Sequence, residues 1–217
     1  EQDRDLLPHT DRQKVHVVPN GVRTDYFDRS TLPAQVPRFD VAFCGNLQYA
    51  PNVAACQYLA LDIAPAFEQL TGRKLKVLLC GANPSAAVRS LALKGKDGCT
   101  IIEVRGWVDD IRTAYLDAEI FVAPMLISTG QQNKLLEAMS LGIPCVTTPL
   151  SFNAFRVESG SEILVCEDSQ SFASTFESLL KNPQDRQRIG SAGCKHVRES
   201  YSWEISSRRL ASILNSN

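Results

Sequence analysis

Residues Glu119–Pro149 read EIFVAPMLISTGQQNKLLEAMSLGIPCVTTP. Two short apolar runs, EIFVAP (Glu119–Pro124) and IPCVTTP (Ile143–Pro149), flank STGQQNKLLEAM (Ser128–Met139), where Leu135, Leu136 and Met139 recur at helical spacing. Strand, helix, strand is the unit from which a parallel sheet is built. Yet this helix opens with a series of hydrogen-bonding side chains and a lysine, and it sets Glu137 among its apolar residues. A connecting helix has no structural need for such a first turn.

The same alternation extends in both directions. KVHVVPNGV (Lys14–Val22) reads as a short strand ending in a Pro-Asn-Gly turn, FDVAFCG (Phe39–Gly45) as a strand running into glycine, and Pro51–Leu70 as a helix that admits Pro in its first turn. LKVLLCG (Leu75–Gly81) and CTIIEVRG (Cys99–Gly106) repeat the strand-to-glycine pattern, VDDIRTAYLDA (Val108–Ala118) is a short helix with acidic residues in its first turn, and EILVC (Glu162–Cys166) is a last strand. From about Ser169 the chain is rich in helix formers, with Tyr201-Ser202-Trp203-Glu204 dividing the last two helices. Continuously apolar strands alternating with helices predict an α/β fold: a doubly wound, mainly parallel Rossmann-like sheet covered on both faces, forming one domain over 1–217. In such sheets ligands gather at the carboxyl edge of the strands, where Gly45, Gly81, Gly106 and the Ser-Thr-Gly turn all fall.

Composition narrows the function. The 217 residues are 44% hydrophobic and 22% charged, with a net charge of −1, and carry no bulk electrostatic footprint for nucleic acid. No apolar run is long enough to span a bilayer. EQDRDLLPHT is too polar for a signal peptide and opens without Met, as expected of a piece of a longer chain. The seven cysteines (44, 56, 80, 99, 145, 166 and 194) lack metal-ligand spacing and read as buried thiols of a reducing, cytoplasmic compartment. His9, His16 and His196 are scattered, so no metal site is expected.

On the carboxyl edge, the opening stretch acquires a chemical meaning. A helix N-terminus offers unpaired N–H groups and partial positive charge to an anion, Gly130 allows close backbone approach, and a bound phosphate would compensate Lys134 for its unfavourable place in the dipole. Glu137 would accept from a pair of ribose hydroxyls. The same spacing also fits a capping box from Thr129 to Gln132, with Lys134 and Glu137 paired or solvated.

The segments VVPNGVRTDYF, FCGNLQYAPN, VRGWVDDIRTAYLDAEIFVAP, GQQNKLLEAMSLGIPCVTTP and YSWE together resemble the C-terminal half of a group 1 (GT4-like) glycosyltransferase of the GT-B fold, over nearly the whole chain and in order. The resemblance implies a donor domain that binds a nucleotide-diphosphate sugar, retaining and metal-independent, with no cofactor. The acceptor, a sugar or a lipid-linked one, would be held by an absent N-terminal domain, which could also carry peripheral membrane contact. By position, Glu137 matches the second glutamate of the family's E-x7-E motif, which holds the ribose. Gly130, Gln131, Gln132, Asn133 and Lys134 match the diphosphate turn, with Lys134 its cation, and Ser128 and Thr129 just before it are expected to bind the donor as well. Gly45 and Asn46 open the turn after the first strand, and Arg105, Trp107 and Val108 border the base, although Trp107 also reads as a packing residue. Two positions depart from the pattern. Thr129 stands where the motif has its first glutamate, and GNLQYAPN (Gly45–Asn52) lacks the usual Arg and Lys, leaving Lys134 as the main cation. A non-catalytic sugar-nucleotide-binding scaffold and an epimerase-type enzyme are the alternatives. No GxGxxG follows the first strand, which disfavours NAD.

Overall fold

The computed structural model describes residues 8–215 except 13, 98, 99, 128, 129 and 156. Six parallel strands form one sheet in the order β3-β2-β1-β4-β5-β6, with β1 Phe39–Cys44, β2 Leu75–Cys80, β3 Thr100–Arg105, β4 Ala118–Ala123, β5 Cys145–Thr147 and β6 Leu164–Val165. β1 and β4 lie side by side at the centre, with Val41 opposite Ile120 and Val77. Their residues are buried on both faces because helices cover both, which is why they read as unbroken apolar runs.

The connecting helices are α1 (50–71), α2 Ala86–Asp97, α3 Ile111–Leu116 and α4 Asn133–Ser140, followed by α5 Ser169–Lys181, α6 Pro183–Ser200 and α7 Trp203–Asn215. One-turn helices at His9–Arg12 and Pro149–Phe152 lie outside this series. α1, α2 and α5 pack on one face of the sheet, and α3, α4 and α6 on the other. The chain therefore winds outward through β2 and β3, returns, and places β4 beside β1. A crevice opens at that reversal, at the carboxyl ends of the strands.

Three local readings need correction. The stretch Lys14–Val22 is not a strand of the sheet: among the described residues it makes one bridge, Val22 with Ser202, and Pro19 has no N–H to give a ladder. The helix expected over Pro51–Leu70 is interrupted by π geometry at Leu59–Ile63, just before Pro65. Pro65 lacks the N–H for the carbonyl four residues back, and its ring crowds that carbonyl, so the turn widens. The helix expected from Val108 begins at Ile111, because the Asp110 side chain caps it by accepting from the Arg112 N–H. Cys99 lies outside the described residues; Cys44, Cys56, Cys80, Cys145 and Cys166 are buried free thiols and Cys194 is half-buried.

Candidate functional site

A cavity of about 490 Å³ occupies the crevice at the carboxyl edge. β1 contributes Cys44 and the turn residues Gly45 and Asn46; β2 contributes Gly81 and Ala82; the segment after β3 contributes Trp107, Val108 and Asp109. Ile111 and Tyr115 of α3, Lys134 and Glu137 of α4, and Tyr26 complete the lining. Its size is that of a site for a small organic ligand.

The backbone is packed tightly at the floor. Gly81 has φ +144°, and a Cβ there would lie 1.7 Å from the Gly45 carbonyl oxygen. A Cβ on Gly45 would meet Asn52 Nδ2 at 2.9 Å and Lys134 Nζ at 3.2 Å. Glycine at both positions lets the two strand ends close together and leaves room for the lysine.

Lys134 stands in the first turn of α4. Its Nζ donates to Asn52 Oδ1 at 2.6 Å and lies 4.3 Å from the centroid of the Phe43 ring. Asn52 is itself held, donating from Nδ2 to the Asn46 carbonyl. Burial pushes the Lys134 amine down to about 8, against the opposing pull of the Cys56, Cys44 and Glu137 side chains. One turn along the helix, Glu137 Oε2 accepts from the Tyr115 hydroxyl at 2.6 Å. Burial raises the Glu137 carboxyl, while the Tyr115 bond and the Lys134 charge oppose that rise. The i, i+3 spacing thus places a cation and a carboxylate in one crevice, each held by a residue of another element. This arrangement suits a ligand with an anionic group beside hydroxyls.

The other expected site residues are distributed unevenly. Gly45, Asn46 and Val108 line the cavity, and so does Trp107, which is 76% exposed and therefore not a packing residue. Arg105 does not line it: its guanidinium bonds Glu103 at 2.7 Å and the buried Asp117 at 2.9 Å, a carboxylate it shares with Arg38. Gly130 is exposed with φ +90°, and Gln131 Nε2 donates to the Asn20 carbonyl at 2.9 Å. Gly130, Gln131, Gln132 and Asn133 lead into α4 beside the cavity without lining it. Ser128 and Thr129 lie outside the described residues. The capping box expected from Thr129 to Gln132 therefore falls partly outside the described residues; α4 itself starts at Asn133, with Gln132 in the N-cap position.

Sequence reading missed Tyr115, Tyr26 and Asn52. Tyr115 reads as an apolar residue of α3, yet a buried tyrosine hydroxyl normally finds a partner, and that rule was its one available signal. Tyr26 is fixed by its hydroxyl to Asp110 at 3.0 Å and by Arg112 stacked 4.0 Å from its ring centroid. A larger groove of about 840 Å³ lies at the opposite, amino-terminal edge, where Arg186 pairs with Glu119 and Arg198 with Asp28. The described residues contain no cluster of His, Cys, Asp and Glu fit for a metal ion. No described helix is long and apolar enough to cross a membrane.

A doubly wound sheet with a crevice at its point of reversal, and an amine and a carboxylate one helical turn apart within it, defines a Rossmann-like α/β domain with a candidate ligand site. Comparison with known sequences specifies it further: a family profile for glycosyl transferases group 1 matches residues 38–182, and the chain belongs to that family. It is 27% identical over 206 residues to the phosphatidyl-myo-inositol mannosyltransferase of Mycobacterium leprae (strain TN), covering 90% of this chain and 52% of that protein. The chain thus spans about half the length of the curated relative it matches. Among solved structures, a glycosyltransferase from Rickettsia africae ESF-5 superposes with a TM-score of 0.74 at 16% identity, over 94% of this chain and 57% of that one. HepE of Anabaena in complex with UDP superposes with a TM-score of 0.73 at 15% identity, over 95% and 58%. These structural likenesses concern the fold.

Proposed function

We propose that this chain is the donor half of a GT-B glycosyltransferase that binds a nucleoside diphosphate sugar in the 490 Å³ crevice. The observation that carries the reading is the placement of Lys134 and Glu137, one helical turn apart, in a single cavity at the sheet's point of reversal. Lys134 and the N-terminal end of α4 face the diphosphate, and Glu137 accepts from the ribose. The base lies toward Trp107 and Val108, where an exposed indole offers a stacking surface. That HepE has been crystallised with UDP-glucose supports this class of donor.

In this reading the reaction is retaining and metal-independent, and its catalysis is positioning and charge stabilisation. As the bond from the anomeric carbon to the diphosphate lengthens, negative charge builds on the leaving phosphate. The Lys134 ammonium and the α4 N-terminus are already oriented to stabilise it. The acceptor, a sugar or a lipid-linked one, enters across a cleft from a second domain, so this chain alone binds donor without turnover. Calorimetry with UDP-, GDP- and ADP-sugars, with and without EDTA, tests the proposal. Binding of one donor that survives EDTA is expected; binding that requires a divalent ion, or none of the three binding, would overturn it.

A further inference from the structure

Glu137 does not meet the cavity with both oxygens free. Its Oε2 already accepts from the Tyr115 hydroxyl at 2.6 Å. Tyr115 comes from α3 and is 1% exposed, its ring edge-on to Phe27 at 6.3 Å and tilted against Phe121 at 5.0 Å between centroids. A ring enclosed in this way cannot swing, so the direction of its O–H, and hence the orientation of the carboxylate, is set by aromatic packing on the far side of the cavity wall. The phenol is held well above its usual range, first by burial and then by the charge of Glu137, and therefore stays a donor throughout the neutral range.

We propose that Tyr115 is a positioning residue of the donor site: by occupying Oε2 of Glu137 it leaves Oε1 as the principal acceptor for the donor's ribose. The inference rests on the reading of Glu137 as the ribose ligand. It replaces the symmetric, two-oxygen contact expected from sequence with an unequal one, in which one of the two ribose hydroxyls is read more strongly than the other. It also makes recognition pH-dependent. The groups facing Glu137 are Tyr115 of α3, Lys134 on its own helix and the Cys44 thiol of β1, kept neutral by burial, with Asp109 on the exposed rim. Of these, Tyr115 and Lys134 draw the carboxyl down against burial. Removing the hydroxyl takes away one of the two interactions that hold the carboxyl down against burial, so its proton affinity rises and the acceptor weakens first toward the acid side.

The test is Tyr115→Phe in the 217-residue chain, titrated at pH 6 and pH 8 with whichever of UDP, GDP and ADP the wild type binds best, and with its 2′,3′-dideoxy form. Affinity for the ribonucleotide should fall about five- to tenfold at pH 6 and clearly less at pH 8, with the dideoxy form nearly unaffected. Equal losses for both nucleotides, or a loss that does not change with pH, would show that Tyr115 acts only through the fold. A second measurement needs no variant. The buried Tyr115 hydroxyl proton, observed by NMR in the wild type, should shift when nucleotide saturates the site, and an unmoved resonance at saturation overturns the proposal. Failure of the wild type to bind any of the three nucleotides is a separate result that defeats the donor reading itself, and this inference with it.

Discussion

Replacing Lys134 by methionine keeps the length and apolar bulk of the stem and removes the charge. Two effects follow, and they can be measured separately. The first is on binding. Burial holds the amine down to about 8, so at pH 7 roughly nine molecules in ten carry the charge. A charge-assisted hydrogen bond to the diphosphate contributes about 1.5–3 kcal/mol, which Lys134→Met should remove. In the wild type, affinity for a nucleoside diphosphate sugar should be flat below pH 8. Above that it should fall by up to about tenfold per pH unit, since a neutral amine must first take up a proton to bind. The variant should show a flat profile. The second effect is on stability. The amine is depressed from the usual lysine range of about 10.4, so the cost of burying its charge is fully present below pH 8 and is relieved as pH rises toward the unfolded value. Over that window the unfolded chain holds more protons, so the stability of the wild type relative to Lys134→Met should increase with pH. Taking the difference between the two proteins cancels the titrating groups that do not interact with Lys134. Calorimetric binding and chemical denaturation from pH 6.5 to pH 10 check both effects. If the wild type and the variant keep parallel binding and stability profiles across pH 8, Lys134 is neither a buried charge nor a phosphate ligand.

Further outcomes follow from the same geometry. Glu137→Gln should cost a ribonucleotide about 1–3 kcal/mol of affinity by calorimetry and a 2′-deoxy analogue much less, because the loss depends on the hydroxyls the carboxylate meets. Gly81→Ala should unfold at a clearly lower temperature, since its Cβ would fall 1.7 Å from a backbone oxygen at a φ of +144°, and nothing there is a flexible side chain that can move aside. Arg112 holds the Asp110 carboxyl down to about 2, so its contribution is present above about pH 4 and lost as pH falls toward 2. The melting temperatures of wild type and Asp110→Asn should therefore converge in acid. In α7, Ser206 is the one buried residue, while Trp203, Leu210 and Leu214 are exposed; its amides should exchange faster than those of β1 and β4.

The strands were legible because a buried parallel strand has only one way to look: FDVAFC and LKVLLC are apolar on both faces since helices cover both. The position of the crevice was legible for a related reason, because connections in such a sheet bring glycine turns and helix N-termini to the carboxyl edge whatever the strand order. The association of Lys134 with Glu137 also needed no tertiary information, as a spacing of three residues on a helix is a local fact. Their partners were a different matter. Asn52 reaches Lys134 from 82 residues away, and Tyr115 reaches Glu137 from 22 residues away on another helix. The order β3-β2-β1-β4 brings the ends of β1, α3 and α4 around one crevice, and no periodicity in the chain encodes that order. The same limit accounts for Arg105. Its place at the end of β3 directs it to the carboxyl edge by sequence, but the folded chain puts the buried carboxylate of Asp117 within 2.9 Å, and a carboxylate removed from water draws in both Arg38 and Arg105 to offset its desolvation. Local pattern determined which faces are buried and which edge carries the crevice; only the packing of distant segments determined which polar groups, once removed from water, must pair with one another.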